Sequence, residues 1–220
     1  MSQPPCKVNF YSWPGPFNLS NLSPSVGNYR PVSLTSVVSK VAESVIRDHI
    51  MDFLQSNDLI NPNQHGFVPG RSCTTNLLTS LENWISIVDD GDCVDILYLD
   101  FRKAFDSVPH KRLLQKMSDL GIAPEITSWV QGFLTGRKQA VRIGDELSSW
   151  RQVSSGVPQG SVLGPCLFVI FINDMPDVVQ NLLNLFADDS KMWRRVASVA
   201  DCEQLQKDLD SLFLWSEKWQ

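Results

Sequence analysis

A short apolar run ending in two neighbouring carboxylates, Phe186-Ala187-Asp188-Asp189, constrains this chain more than any other stretch. Asn181-Leu182-Leu183-Asn184-Leu185 precedes it, and Ser190-Lys191-Met192-Trp193 follows. The pattern predicts a strand that delivers two aspartates at a tight turn. Adjacent acids repel, so a cation is the natural third party, and oxygen-only ligands point to Mg2+ or Mn2+. Taken alone, an Asp-Asp pair is more often a solvated turn. Two other stretches strengthen the cation reading: Val94-Asp95-Ile96-Leu97-Tyr98-Leu99-Asp100, which reads as a buried strand ending in an acid, and the loop Ser155-Gly156-Val157-Pro158-Gln159-Gly160-Ser161.

If the two acid-ended strands lie side by side in one sheet, three carboxylates converge at one edge. Such a cluster can hold two divalent cations, one activating a hydroxyl and one stabilising a leaving phosphate. Phosphoryl transfer asks little else of a protein than positioning and charge. Asp100 alone would better suit a strand-end acid that caps the following turn.

The remaining chain reads as helices, loops and one hairpin. Residues 1–27 are rich in Pro, Ser, Asn and Gly without any period, and read as an extended or poorly ordered lead-in to an ordered region over 28–220. Val38, Val41, Val45, Ile46, Ile50 and Phe53 have the spacing of an amphipathic helix from Ser36 to about Leu54. Leu77, Leu81, Trp84, Ile85 and Val88 mark a second helix, after a loop from Asn61 to Ser72 dense in turn formers. Pro109 and Pro124 each suit the first turn of a helix, stopped by Gly121 and Gly136. Gln139–Ile143 and Ser149–Val153 predict a hairpin around Gly144-Asp145, and Leu163 to Ile172 an apolar helix. A last helix from about Ser198 carries Leu205, Leu209, Leu212 and Phe213 as its apolar stripe. It runs to Trp219-Gln220 in mid-pattern, which predicts a stripe partly uncovered for lack of packing partners.

Composition narrows the class. The chain has 220 residues, 43% of them hydrophobic, enough for a substantial core. It contains no apolar run near the ~18 residues of a membrane helix and no secretory pattern at its start. Its five scattered cysteines, odd in number, read as reduced thiols of an intracellular protein in nucleus or cytoplasm. A net charge of -5 argues mildly against a free-standing nucleic-acid binder. Basic residues nevertheless cluster at Arg102, Lys103, Lys111, Arg112 and Lys116, at Arg137, Lys138 and Arg142, and at Lys191, Arg194 and Arg195. These are either solvated faces or phosphate tracks.

Tyr98-Leu99-Asp100-Phe101-Arg102-Lys103-Ala104-Phe105-Asp106, then Ser155-Gly156-Val157-Pro158-Gln159-Gly160, then Phe186-Ala187-Asp188-Asp189 resemble three successive polymerase motifs of reverse transcriptases. Asn28-Tyr29-Arg30-Pro31 and Gln64-His65-Gly66-Phe67 with Gly70-Arg71-Ser72 narrow the resemblance to non-LTR retrotransposons of the Jockey-like long interspersed kind, over about residues 28–219. The resemblance implies an α+β right-hand polymerase palm and fingers, with an antiparallel palm sheet flanked by helices and the thumb missing. It implies RNA-directed DNA synthesis with two Mg2+ ions (Mn2+ possible), an RNA template, a DNA primer and deoxynucleoside triphosphates, and no membrane. By the same resemblance Asp100 and Asp188 are metal ligands and Asp189 completes the acidic triad. Phe105 excludes a 2′-hydroxyl, Gln159 approaches the incoming nucleotide, Arg30 meets the triphosphate and Arg71 touches the template. Three departures stand out: Phe186 replaces a common tyrosine, Phe17 to Pro24 holds no lysine where the family has a basic strand, and the chain stops before the primer grip and thumb. The alternative function is a catalytically inactive retroelement remnant, or a domesticated fragment that binds nucleic acid or a partner.

Overall fold

The computed structural model describes residues 9–12, 33, 35–143 and 145–219. In chain order the elements are β1 (Asn9–Ser12), α1 (Val37–Ser56), α2 (Cys73–Asp89), β2 (Cys93–Asp100), α3 (Ala104–Ser107), α4 (His110–Asp119), α5 (Pro124–Leu134), the short strands β3 (Lys138–Gln139), β4 (Arg142–Ile143), β5 (Glu146–Leu147) and β6 (Arg151–Gln152), then α6 (Gly164–Ile172), β7 (Leu182–Phe186), β8 (Asp189–Val196) and α7 (Val199–Trp219). They divide between two compact units. One holds β1, Asn61–Arg102 and Ile172–Lys218; the other holds α1, Lys103–Phe171 and Trp219.

The first unit is built on a four-stranded sheet of order β1-β2-β8-β7. β2 and β8 run antiparallel from Cys93↔Val196 to Asp100↔Asp189, and β7 pairs antiparallel with β8 from Leu182↔Trp193 to Phe186↔Asp189. β1 adds a parallel edge, Asn9↔Asp95 to Ser12↔Tyr98. This strand lies inside the stretch read as a lead-in, where four residues are too few to display a period. The sheet is therefore mixed, with an antiparallel centre.

Val94 to Leu97 of β2 are all buried, the mark of a strand covered on both faces. Val94, Ile96 and Trp193 form a core cluster against Trp84 and Ile87 of α2. The Trp84 and Trp193 rings meet edge to face at 5.8 Å. Ser72 opens α2 with a reciprocal capping box to Thr75.

α7 corrects one expectation. Leu205, Leu209 and Leu212 are buried rather than left uncovered, together with Trp215, whereas Phe213 is exposed. Trp215 donates through Nε1 to Asp174 Oδ1 at 3.1 Å, and its ring lies 6.4 Å from that of Phe101. Asp208, also buried, accepts from the Gln180 and Asn181 amides at 2.8 and 2.7 Å. A bonded carboxylate thus pins the helix to the segment just before β7.

In the second unit α1 differs from its apolar pattern. Ile50, Met51 and Leu54 are buried, but Val38, Val41 and Val45 are exposed and Glu43 is fully buried. At about 100° per residue, Glu43, Ile50 and Leu54 share one face and the three valines lie opposite. The reason is electrostatic. Glu43 Oε2 accepts from the Val162 and Leu163 amides at 2.8 and 3.2 Å, ahead of α6, where unpaired N–H groups favour a negative charge.

α6 is apolar all round, and Leu167 to Ile172 are all buried. Leu113 and Met117 of α4 and Val130 and Leu134 of α5 supply further core. The hairpin forms as two nested pairs, β3 with β6 and β4 with β5. Among the described residues no helix is long and apolar enough to cross a membrane.

Candidate active site

The register of β2 against β8 sets Asp100 directly opposite Asp189. Facing residues in an antiparallel pair have Cα atoms about 4.5–5.5 Å apart and side chains on the same face of the sheet. Ala187 and Asp188 form the two-residue turn that joins β7 to β8, with Ala187 left-handed at φ 55°. All three acids therefore reach one end of one sheet, Asp100 and Asp189 exposed and Asp188 half-buried. Among the described residues no three His, Cys, Asp or Glu side chains are gathered to hold a metal ion as they stand. The donor set itself, oxygen only and on a rigid sheet end, is the kind Mg2+ or Mn2+ takes.

Around this turn the Asn61–Ser72 loop is heavily wired. Its backbone bridges β7 beside Leu185: His65 donates to Leu185 O at 2.8 Å and Leu185 to Asn63 O at 2.9 Å. Arg71, the expected template contact, donates through Nη1 to the carbonyls of Asn61, Pro62 and Gln64 at 2.9, 3.0 and 2.6 Å. Those bonds brace the loop itself. His65 Nδ1 lies 2.9 Å from Thr75 Oγ1, and burial holds its pKa below the ordinary value, helped by Arg71 and Lys191. Lys191, two residues after Asp189 on β8, is pulled below the usual lysine value by burial, while Cys73 and Asp189 oppose the shift.

In the second unit, the Ser155–Ser161 loop is tied to the segment after β2. Gln159 donates through Nε2 to Asp106 Oδ1 at 2.8 Å, and Ser155 Oγ to Asp106 O at 3.0 Å. The Val157 amide donates to Phe105 O at 2.7 Å, and that of Gly156 to Val108 O at 2.8 Å. Phe105 is half-buried, its ring stacked on that of Phe168 with centroids 4.2 Å apart. Gly156 sits at φ 90°, and a Cβ there would lie 2.7 Å from Asp106 O. Only glycine permits this approach. Arg30, the expected triphosphate contact, lies outside the described residues.

Charge clustering in the sequence did not reveal how the basic side chains pair. Lys116 is buried, donating to Phe171 O at 2.6 Å with its ammonium 3.9 Å from the Trp219 ring centroid. Arg194 bonds Asp201 and Asn181, and Arg195 bonds Asp90 and Asp92. Lys103, Lys111 and Lys138 are exposed. Sequence reasoning passed over Glu43 and gave no role to Gln64 or Asp106 within the motifs that hold them; each has a partner distant in sequence. The one local signal was Gln64, a long amide inside a run of turn formers just before Gly66.

The family described as reverse transcriptase (RNA-dependent DNA polymerase) matches residues 20–220. The chain is 33% identical over 198 residues to a probable RNA-directed DNA polymerase from transposon X-element of Drosophila melanogaster, covering 87% of this chain and 22% of that protein. It is 31% identical over 205 residues to the RNA-directed DNA polymerase from mobile element jockey of Drosophila funebris, with 88% and 22% covered. The chain thus spans about a fifth of the length of these relatives. Among solved structures, apo telomerase from Candida tropicalis, truncated from its C-terminal domain, superposes with a TM-score of 0.55 at 11% identity, covering 82% of this chain and 38% of that one. That likeness shows a shared polymerase fold. With the family match running over most of its length, the chain belongs to the reverse transcriptases, alongside those of non-LTR retrotransposons such as jockey and X-element.

Proposed function

We propose that this chain carries the nucleotidyl-transfer site of an RNA-directed DNA polymerase, extending a DNA primer from deoxynucleoside triphosphates on an RNA template. The observation that carries the reading is the register that sets Asp100 opposite Asp189, with Asp188 in the adjoining turn. Reverse transcriptases generally use divalent metal ions. Asp100 and Asp188 are read as the ligands of two Mg2+ (or Mn2+) ions, with Asp189 completing the acidic set. When bound, such ions activate the primer hydroxyl and stabilise the leaving pyrophosphate.

The chain's own side chains supply position and selectivity. Phe105, backed by Phe168, is the bulk against which a 2′-hydroxyl would clash. Gln159 has its amide nitrogen engaged by Asp106, so its oxygen is the end presented toward a nucleotide. Arg30 is assigned to the triphosphate, a bidentate task that suits guanidinium. For Arg71 the three internal bonds favour a loop-bracing role over a template contact. The acid-bearing sheet is read as the palm and the segments before β2 as fingers. The free thiols Cys73, Cys93, Cys166 and Cys202 support an intracellular location.

A second reading, an inactive retroelement remnant, draws on the internal pairing of Lys116, Arg194 and Arg195, which withdraws three of the clustered cations from a duplex. Primer extension on an RNA template in Mg2+ separates the two. Synthesis that is lost in both Asp100→Asn and Asp188→Asn, with melting temperatures unchanged, supports the polymerase. No extension by the unaltered chain, under conditions where it demonstrably binds template-primer, supports the remnant.

A further inference from the structure

We propose that Gln64 is the positioning residue of the acid turn, its buried amide oxygen holding the Ala187 N–H and thereby fixing how Asp188 is presented. This rests on the reading of Asp188 as a metal ligand. Gln64 is fully buried, and its Oε1 accepts from Gly66 N at 2.7 Å and from Ala187 N at 3.0 Å. The amide can face only one way, since the opposite orientation would set its NH2 against two N–H donors.

The Ala187 amide needs such a partner. As the first residue of a two-residue hairpin turn it lies outside the ladder that pairs Phe186 with Asp189, and it is almost wholly buried. A buried N–H left unpaired is disfavoured, and so is an alanine at φ 55°; an acceptor at this point relieves the first and stabilises the second. The acceptor must also be uncharged. A carboxylate here would add a further negative charge beside Asp188 and Asp189, whereas glutamine offers an oxygen without one.

Gly66 completes the fit. A Cβ on it would stand 2.3 Å from Ala187 N, so only glycine lets the loop lie against the turn. The backbone bridge at Leu185, the Asn76 Nδ2 bond to Leu185 O at 3.0 Å and the Arg71 brace hold Gln64 itself in place.

The test uses amide hydrogen exchange and Mn2+ binding on the whole chain. In the unaltered protein the Ala187 amide should be protected like the ladder amides of β8. Gln64→Met, which keeps the length and removes the acceptor, should speed Ala187 exchange about tenfold while Met192 and Trp193 keep their protection. Mn2+ affinity should fall about 10–100-fold, as for other residues that orient a ligand. Gln64→Glu, which keeps an acceptor oxygen at the same place, should retain Ala187 protection where Gln64→Met loses it. An unprotected Ala187 in the unaltered chain overturns the proposal without any variant, and so does Gln64→Met exchange that rises equally across β8. Mn2+ binding that is no weaker in Asp188→Asn would refute the ligand reading instead, leaving the exchange result to decide the role of Gln64.

Discussion

Replacing Gly156 by alanine measures how closely the Gln159 loop is fitted to its neighbour. Two costs add at this position. An L-residue at φ 90° is strained by about 1–2 kcal/mol. The new methyl would stand 2.7, 2.8 and 2.9 Å from Asp106 O, Cα and C, all backbone atoms that cannot swing aside. Forcing such a group into a filled site costs about 1–3 kcal/mol more. The sum, about 2–5 kcal/mol, corresponds to a fall in Tm of roughly 5–15 °C for a chain of this length. Gly136→Ala supplies the control, because φ there is 70° but nothing lies within 4 Å of the added Cβ. It should show only the strain, about 1–2 kcal/mol. Urea unfolding of both variants, read by tryptophan fluorescence, gives the difference directly. In extension assays Gly156→Ala should also lose selectivity, because relieving the clash pulls the loop away from Asp106 and with it the Gln159 bond. Equal losses in the two variants would refute the close approach.

Three further outcomes are expected. Phe105→Val should admit ribonucleotides in the extension assay and cost about 1–2 kcal/mol in urea unfolding, since the stacked pair with Phe168 is worth ~0.5–1.5 kcal/mol beyond burial; unchanged sugar discrimination would make Phe105 a core aromatic only. Acidification should weaken the fold through His65: its folded pKa lies below the ordinary value, so the unfolded chain takes up the proton first, and stability complete above about pH 6.5 declines below it. His65→Gln should flatten that part of the stability–pH curve, and an identical slope in the variant would exclude His65 as its source. Template-primer binding across a salt series should lose about one unit of slope on removing a contacting cation; this is expected for Lys111→Ala or Lys138→Ala, which are exposed, and not for Arg194→Ala, which is paired with Asp201 and Asn181.

Much of this arrangement is legible in the sequence, for reasons that also mark its limits. Proline and glycine punctuate helix ends through backbone geometry alone, so α5 begins at Pro124 and ends at Leu134 as read. The acids announce themselves because a strand that ends in a carboxylate is a local pattern, although their pairing across the sheet is not. α1 misleads in part: Ile50 of its apolar stripe is buried, but Val38, Val41 and Val45 are exposed while Glu43 turns inward to serve amides that the helix sequence cannot reveal. The same blindness hides Gln64, Asp106 and Asp208, polar groups whose partners lie far along the chain. Basic clusters fail as a guide because linear charge says nothing about which guanidinium already has a carboxylate beside it. β1 is invisible because four residues acquire strand character only from the neighbour they pair with.

The sheet order carries a consequence for the chain as it is being made. β7 and β8 are joined by two residues and can pair as soon as both exist, whereas β2 waits for β8 across the 88 residues between Asp100 and Asp189. Pairings between distant segments form more slowly than hairpins. Synthesis proceeds from the N-terminus at roughly 5–20 residues per second, so β2 leaves the ribosome several seconds before the strand that will face Asp100. During that interval one long edge of β2 has no native partner, and Asp95, set among Val94, Ile96 and Leu97, is the one charge within that buried stretch that works against wrong pairing. The acidic centre comes into being only when β8 arrives, and the same event covers the open edge of β2.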